Sequence, residues 1–188
     1  MWGWAGSVMS VSGVPTVSLR SRTDADLDVL YRIAADLDSW EERGASAPAP
    51  LTRPGFEARL ARLDGGEAPE AAAFVIDAGG EAVGSASLSG FDLLARHAEA
   101  GISLVPEARG RGVGTEAMRL LVEFGFVRRN LRRIHLQAIA SNAGALRSYE
   151  KAGFAVEGRL REHAWVRGRY EDIVLMAILR SEYGLPDT

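Results

Sequence analysis

The chain has 188 residues, 47% of them hydrophobic, which is enough to bury one substantial core in a single domain. Its formal net charge of -3 provides no general electrostatic case for nucleic acid or an anionic membrane, so any RNA contact could only be local. It contains no cysteine, which excludes disulfides, thiolate metal sites and a cysteine nucleophile together and is compatible with a reducing, cytoplasmic setting.

Residues 1–15, MWGWAGSVMSVSGVP, have no basic start and no apolar run of signal or membrane-spanning length. They read as a flexible N-terminal extension, the alternative being that Trp2 or Trp4 packs on a neighbouring chain. A single domain is expected over 16–184, followed by a short tail at 185–188. Thr16 to Arg20 reads as a first strand, and Ser21 to Asp24 offers cap residues before a helix with Leu27, Leu30, Tyr31 and Ala34 at helical spacing. From Asp36 to Pro54 the sequence turns acidic and irregular, and a second helix is predicted from about Gly55 to Leu63.

Ala71 to Asp77 and Ala82 to Leu88 are apolar runs joined by Ala78-Gly79-Gly80-Glu81, which together read as a hairpin. A fourth strand is expected from about Ala98 to Leu104, then a Gly-rich turn and an amphipathic helix from Thr115 to about Arg129. Strands over Arg133 to Ala140, Ala155 to Ala164 and Arg169 to Leu179 complete the chain. The periodicity therefore predicts a mixed-sheet α/β fold of about seven strands flanked by about four helices, in the order β-α-α-β-β-β-α-β-α-β-β.

The turn between the fourth strand and its helix is the most informative stretch. Arg109, Gly110, Arg111, Gly112 and Gly114 lie between a short apolar run and an amphipathic segment. Glycines allow backbone amides to approach a ligand, and the following helix adds free N–H groups and the positive end of its dipole, a natural seat for phosphate. A nucleotide-triphosphate loop would need Gly-Lys-Ser/Thr where the chain has Gly112-Val113-Gly114-Thr115. A dinucleotide fingerprint would need a different glycine spacing and an acidic residue about twenty positions on, where Arg132 to Ile134 is basic. The remaining pattern, Arg-x-x-Gly-x-Gly at Arg109, Gly112 and Gly114, resembles the pyrophosphate loop of the GNAT N-acetyltransferases.

A second signature runs from Ser141 to Phe154, an Asn followed seven residues later by Tyr and then by Gly-Phe, and it also resembles that family. With Glu157 to His163 and Arg169 to Asp172, the resemblance covers roughly Val17 to Tyr183 and points to the branch of ribosomal-protein N-terminal and spermidine acetyltransferases. It implies a GNAT-like, mostly antiparallel sheet and acetyl-coenzyme A as co-substrate, with no metal. It places that co-substrate at Leu104, Val105, Arg109, Gly110, Arg111, Gly112, Val113, Gly114, Thr115 and Asn142.

Amine acetylation needs a route for the amine's proton and a proton donor for the departing thiolate. Glu99 lies at the start of the fourth strand, where the resembling branch often carries a Glu, and the resemblance implies that it is the general base, acting through a water; a solvated or salt-bridged strand-end carboxylate is the competing role. Asn142 and Tyr149 are seven apart on a helix, and seven steps of about 100° return to within ~20° of one face, so both look the same way. Tyr149 is the expected acid for the sulfur. The competing roles are an N-cap for Asn142 and core packing for Tyr149. Asp36, Asp38, Glu41 and Glu42 fall where the family receives its acceptor and could attract a cationic amine, or could be a solvated face. His97, His135 and His163 lack metal-ligand spacing and are read as structural. Trp165 and Tyr170 could line an acceptor pocket, a homodimer contact or simply pack. The expected activity is direct acetyl transfer to a primary amine, a protein N-terminus or a small molecule such as a polyamine, without direct contact to nucleic acid or membrane. A non-catalytic acyl-CoA-binding module and an enzyme acting on an aminoglycoside-like antibiotic are the alternatives.

Overall fold

A computed structural model describes residues 15–41, 49–64 and 71–184. The expectations placed on residues 1–14, on Glu42 and on the tail at 185–188 lie outside the described residues. The strands are β1 (Val17–Arg20), β2 (Ala71–Ala78), β3 (Glu81–Asp92), β4 (His97–Leu104), β5 (Arg133–Ile139), β6 (Ala155–Val166) and β7 (Arg169–Leu179). They form one seven-stranded sheet in the order β1-β2-β3-β4-β5-β7-β6. Every neighbouring pair is antiparallel except β4 and β5, so the sheet is mixed and mostly antiparallel, as expected.

The helices are α1 (Leu27–Ala35), α2 (Leu37–Glu41), α3 (Arg53–Asp64), α4 (Val113–Glu123) and α5 (Ala143–Lys151), five where the periodicity indicated about four. The additional one is α2. A carboxylate oxygen of Asp36 accepts from the Ser39 N–H at 3.1 Å, which stabilises one helical turn in a stretch too short and acidic to show an apolar stripe. The helix predicted from Thr115 to Arg129 begins two residues earlier and stops at Glu123, where a π-helical turn over Phe124–Arg128 takes over. Gly125 lies in that turn, and a Cβ there would stand 2.6 Å from Ile134 Cδ1, so glycine lets the turn press this closely on the sheet without displacing that side chain.

One face of the sheet packs on α4 and α5. Ile76, Leu88, Ala98, Ile134 and Met176 meet Val113, Met118 and Leu121 in the main core, each large side chain contributing roughly 1.5–3 kcal/mol on full burial. On the other face α1 and α3 cover β2 through Leu30, Phe56 and Val75. The buried Asp26 at the start of α1 accepts two bonds of 2.8 Å from Arg20, which holds its carboxyl well below the usual range and ties α1 to β1. Among the described residues no helix is long and apolar enough to cross a membrane.

Candidate active site

The parallel ladder between β4 and β5 is short: His97, Ala98 and Glu99 pair with Arg133, Ile134 and His135, and the pairing ends there. Beyond it β4 continues along β3 to Leu104 while β5 continues along β7 to Ile139, so the two strands part. A cleft of about 380 Å³ lies on the β4 side of this opening, against Ile102, Ser103 and Leu104. The turn after β4 and the start of α4 form one wall through Arg109, Gly110, Gly112, Gly114 and Thr115. Helix α5 forms another through Gly144, Ala145, Arg147, Ser148, Tyr149 and Lys151, with Ser39 of α2 at the rim.

The turn has its shape because glycine occupies the left-handed positions. Gly110 has φ 71° and Gly112 φ 82°. Gly112 is also the N-cap of α4 and carries no side chain that could satisfy the first amides of the helix, which therefore remain available to an anion. At Gly114 a Cβ would stand 3.3 Å from Leu104 Cδ1 and 3.4 Å from Ser148 Oγ, so glycine lets β4, α4 and α5 converge. The hydroxyls of Thr115 and Ser148 are hydrogen-bonded at 3.0 Å across that junction.

The other expected co-substrate residues divide. Leu104 lines the cleft, whereas Val105 is buried against Ile33 and Ala108 with its N–H donated to Val83, and Val113 is in the core. Arg111 is exposed and lies outside the cleft lining. Arg109 donates to the Leu104 carbonyl at 3.2 Å and to Ser39 Oγ at 2.8 Å, so it fastens the turn to α2. Asn142 caps α5 by accepting from the Ala145 N–H at 3.1 Å and is not part of the lining. Arg147 and Lys151 were not anticipated, although Gly144, Arg147, Ser148 and Lys151 recur at three- and four-residue spacing and so share one face of α5.

Tyr149 has the packing role expected of it and also stands in the cleft wall. It packs on Phe154, with ring centroids 6.2 Å apart, and lines the cleft. Burial pushes its phenol up to about 12, so it stays protonated at neutral pH and can donate to a thiolate. Glu99 lies outside the cleft lining, on the last rung before β4 and β5 part. Ala98 and Ala100 on either side of it are buried in the core, so strand alternation turns Glu99 to the opposite face.

The acidic residues of α2 are engaged in the fold. Asp36 is held below the usual carboxylate range by hydrogen bonding to Ser39, which links it onward to Arg109. Arg167, at the tip of the β6–β7 hairpin, lies 3.4 Å from Asp38 and 3.9 Å from Glu41. Glu42 lies outside the described residues. Among those described, no group of three or more acidic or histidine side chains could hold a metal ion.

A parted parallel pair with a glycine-capped helix at its mouth makes a seat suited to a phosphate-bearing ligand, and the chain belongs to the GNAT acetyltransferase domain family, whose model matches residues 16–155. It is similar to the spermidine N(1)-acetyltransferase of Escherichia coli K12, 34% identical over 110 residues, covering 58% of this chain and 59% of that protein. It also resembles the putative ribosomal N-acetyltransferase YdaF of Bacillus subtilis, 32% identical over 104 residues, covering 55% of this chain and 57% of that one. The chain thus spans under two thirds of the length of these relatives. Among solved structures, the spermidine N-acetyltransferase of Vibrio cholerae, in complex with CoA and spermine, superposes with a TM-score of 0.81 at 26% identity, covering 90% of this chain and 98% of that one. A dodecameric form of that enzyme has a TM-score of 0.72 at 27% identity, covering 89% and 95%.

Proposed function

We propose that this protein is an N-acetyltransferase that moves an acetyl group from acetyl-coenzyme A directly to a primary amine, with a polyamine as acceptor. The observation that carries this reading is a single cleft with a glycine-capped helix start at one wall and a half-buried, protonated phenol at another. The free amides around Gly112 and Gly114 suit a pyrophosphate, and the cations Arg147 and Lys151 suit further phosphate. Bound acetyl-coenzyme A supplies an activated thioester. Glu99 takes a proton from the acceptor's ammonium, so that the neutral amine can attack the carbonyl. As the C–S bond breaks, Tyr149 donates its phenolic proton to the leaving sulfur and recovers one from the acylated nitrogen. One proton is released overall.

The named relatives support a polyamine, as does the carboxylate pair Asp38 and Glu41. A protein N-terminus is the second reading, favoured by Arg167, which already occupies that acidic patch. The dodecameric neighbour and the exposed Trp165–Tyr170 pair on the hairpin, with rings 4.9 Å apart, support self-association, measurable by sedimentation. Release of coenzyme A with spermidine, spermine, a basic N-terminal peptide and an aminoglycoside tests the proposal. Spermidine is expected to have the highest kcat/KM. Binding of acetyl-coenzyme A without thiol release from any amine would leave only a binding module.

A further inference from the structure

We propose that His135 is the second station on the proton path, taking from Glu99 the proton removed from the acceptor and passing it to water. This rests on Glu99 acting as the base. Its support is the register of the parallel ladder, in which Glu99 and His135 are direct partners on the last rung before β4 and β5 separate. Neighbouring strands lie about 4.8 Å apart, so side chains in register on one face, though not bonded to each other here, are close enough for one water to carry a proton between them. Ile134 and Leu136 on either side of His135 are buried in the core with α4, so His135 projects to the opposite face, which Glu99 also occupies.

The imidazole carries an unexplained feature. Its Nδ1 is buried and has no hydrogen-bond partner among the described residues, and the same is true of Nδ1 in His97, whose ring meets that of His135 edge-on at 5.3 Å. A buried polar atom left unpaired is costly and needs a reason. With Nδ1 closed to water and beyond reach of Glu99, the nitrogen left to take up and release the proton is Nε2, which is not enclosed in this way.

The charged and titratable groups around His135 are Glu99 and His97 from β4, Arg133 from its own strand and Glu157 from β6. Burial is the largest influence and lowers its pKa below the ordinary value, aided by His97 and Arg133, while Glu99 and Glu157 oppose it. Glu157 is bonded to Arg133, so Glu99 is the carboxylate left facing the ring. The sign follows: the imidazole is neutral at pH 7, ready to accept, and is charged at rest only as pH falls below the ordinary histidine range.

The protons balance. The ammonium gives H+ to the Glu99 carboxylate, the carboxylic acid gives it to the imidazole, and the imidazolium releases it to solvent, returning both groups to their starting states. His135→Gln should keep acetyl-coenzyme A affinity and lower kcat at pH 7 about tenfold, less than the 10²–10⁴ of a group that touches the substrate. Its acid limb should shift relative to wild type, and added imidazole should restore part of the rate. A pH profile superimposable on wild type would overturn the relay. A second measurement does not depend on that variant folding: the imidazole resonances of His135, followed by NMR, should titrate at lower pH in Glu99→Gln than in wild type. An unchanged midpoint overturns the proposal. If Glu99→Gln keeps full kcat, the assignment of the base itself fails. A slow Glu99→Gln beside a silent His135→Gln fails the relay alone.

Discussion

The two sides of the cleft are held in shape by different means. On the α4 side the geometry resides in the backbone: Gly110 and Gly112 in the left-handed region, Gly114 admitting close packing, and a helix start with open amides. On the α2 side it resides in side chains: Asp36 caps the turn at Ser39, and Ser39 meets Arg109 and Arg167 meets Asp38 and Glu41 across the fold. Backbone geometry tolerates few residue types and leaves a motif in the sequence. Exposed ion pairs are worth ~0–1 kcal/mol and can be exchanged, so the α2 side is free to vary.

Breaking the backbone side should have the largest effect. Gly112→Val places a β-branched residue at φ 82°, where strain of about 1–3 kcal/mol adds to a blocked approach. Calorimetry should find acetyl-coenzyme A affinity lowered by more than roughly 100-fold, about 3 kcal/mol, with circular dichroism unchanged. Binding within a few-fold of wild type would remove the helix start from the mechanism.

Next comes the chemistry between the two sides. Tyr149→Phe should bind acetyl-coenzyme A normally and turn over roughly 100-fold more slowly. With the phenol pushed up to about 12, the wild-type rate should show no alkaline loss from Tyr149 below about pH 11. A fall in kcat near pH 10 that disappears in the phenylalanine variant would contradict that environment.

The bridge between the sides sharpens the contrast further. Ser39→Ala removes the oxygen that Arg109 reaches at 2.8 Å and should raise KM for both substrates by a few-fold, about 1 kcal/mol for one hydrogen bond. An effect confined to one substrate would mean that the two sides are independent.

The smallest effect belongs to the exposed charges. Asp38→Asn with Glu41→Gln and Glu42→Gln should raise KM for spermidine several-fold at low salt while sparing kcat, because carboxylates steer cations only over a Debye length of about 8–10 Å. Arg167→Asn, which suits the left-handed φ of 47° at that position, should lower the same KM. If neither change moves it, the acidic patch does not meet the acceptor.

What could be read in the sequence follows the same division. The Gly110 to Gly114 turn could be recognised because its left-handed positions demand glycine, and the seven-residue step from Asn142 to Tyr149 because it resembles a family signature. β7 runs from Arg169 to Leu179, with the bounds expected for it. Helix α2 could not be read, since one carboxylate cap and a distant arginine create it. The pairing of Arg167 with α2 joins residues 126 or more positions apart, and no local pattern signals it. Arg147 and Lys151 were legible as helix positions but not as cleft lining, which depends on where α5 packs.

The three rungs joining β4 to β5 divide the sheet into a four-strand and a three-strand plate, sutured at one end and open at the other. The main core beneath α4 crosses this line and joins the two plates. A guest in the cleft would touch β4 and the start of α4 on one side and α5, which follows β5, on the other, so occupancy would tighten that join. Acetyl-coenzyme A should then slow amide exchange in β5 and β7, on the plate that carries none of the glycine turn.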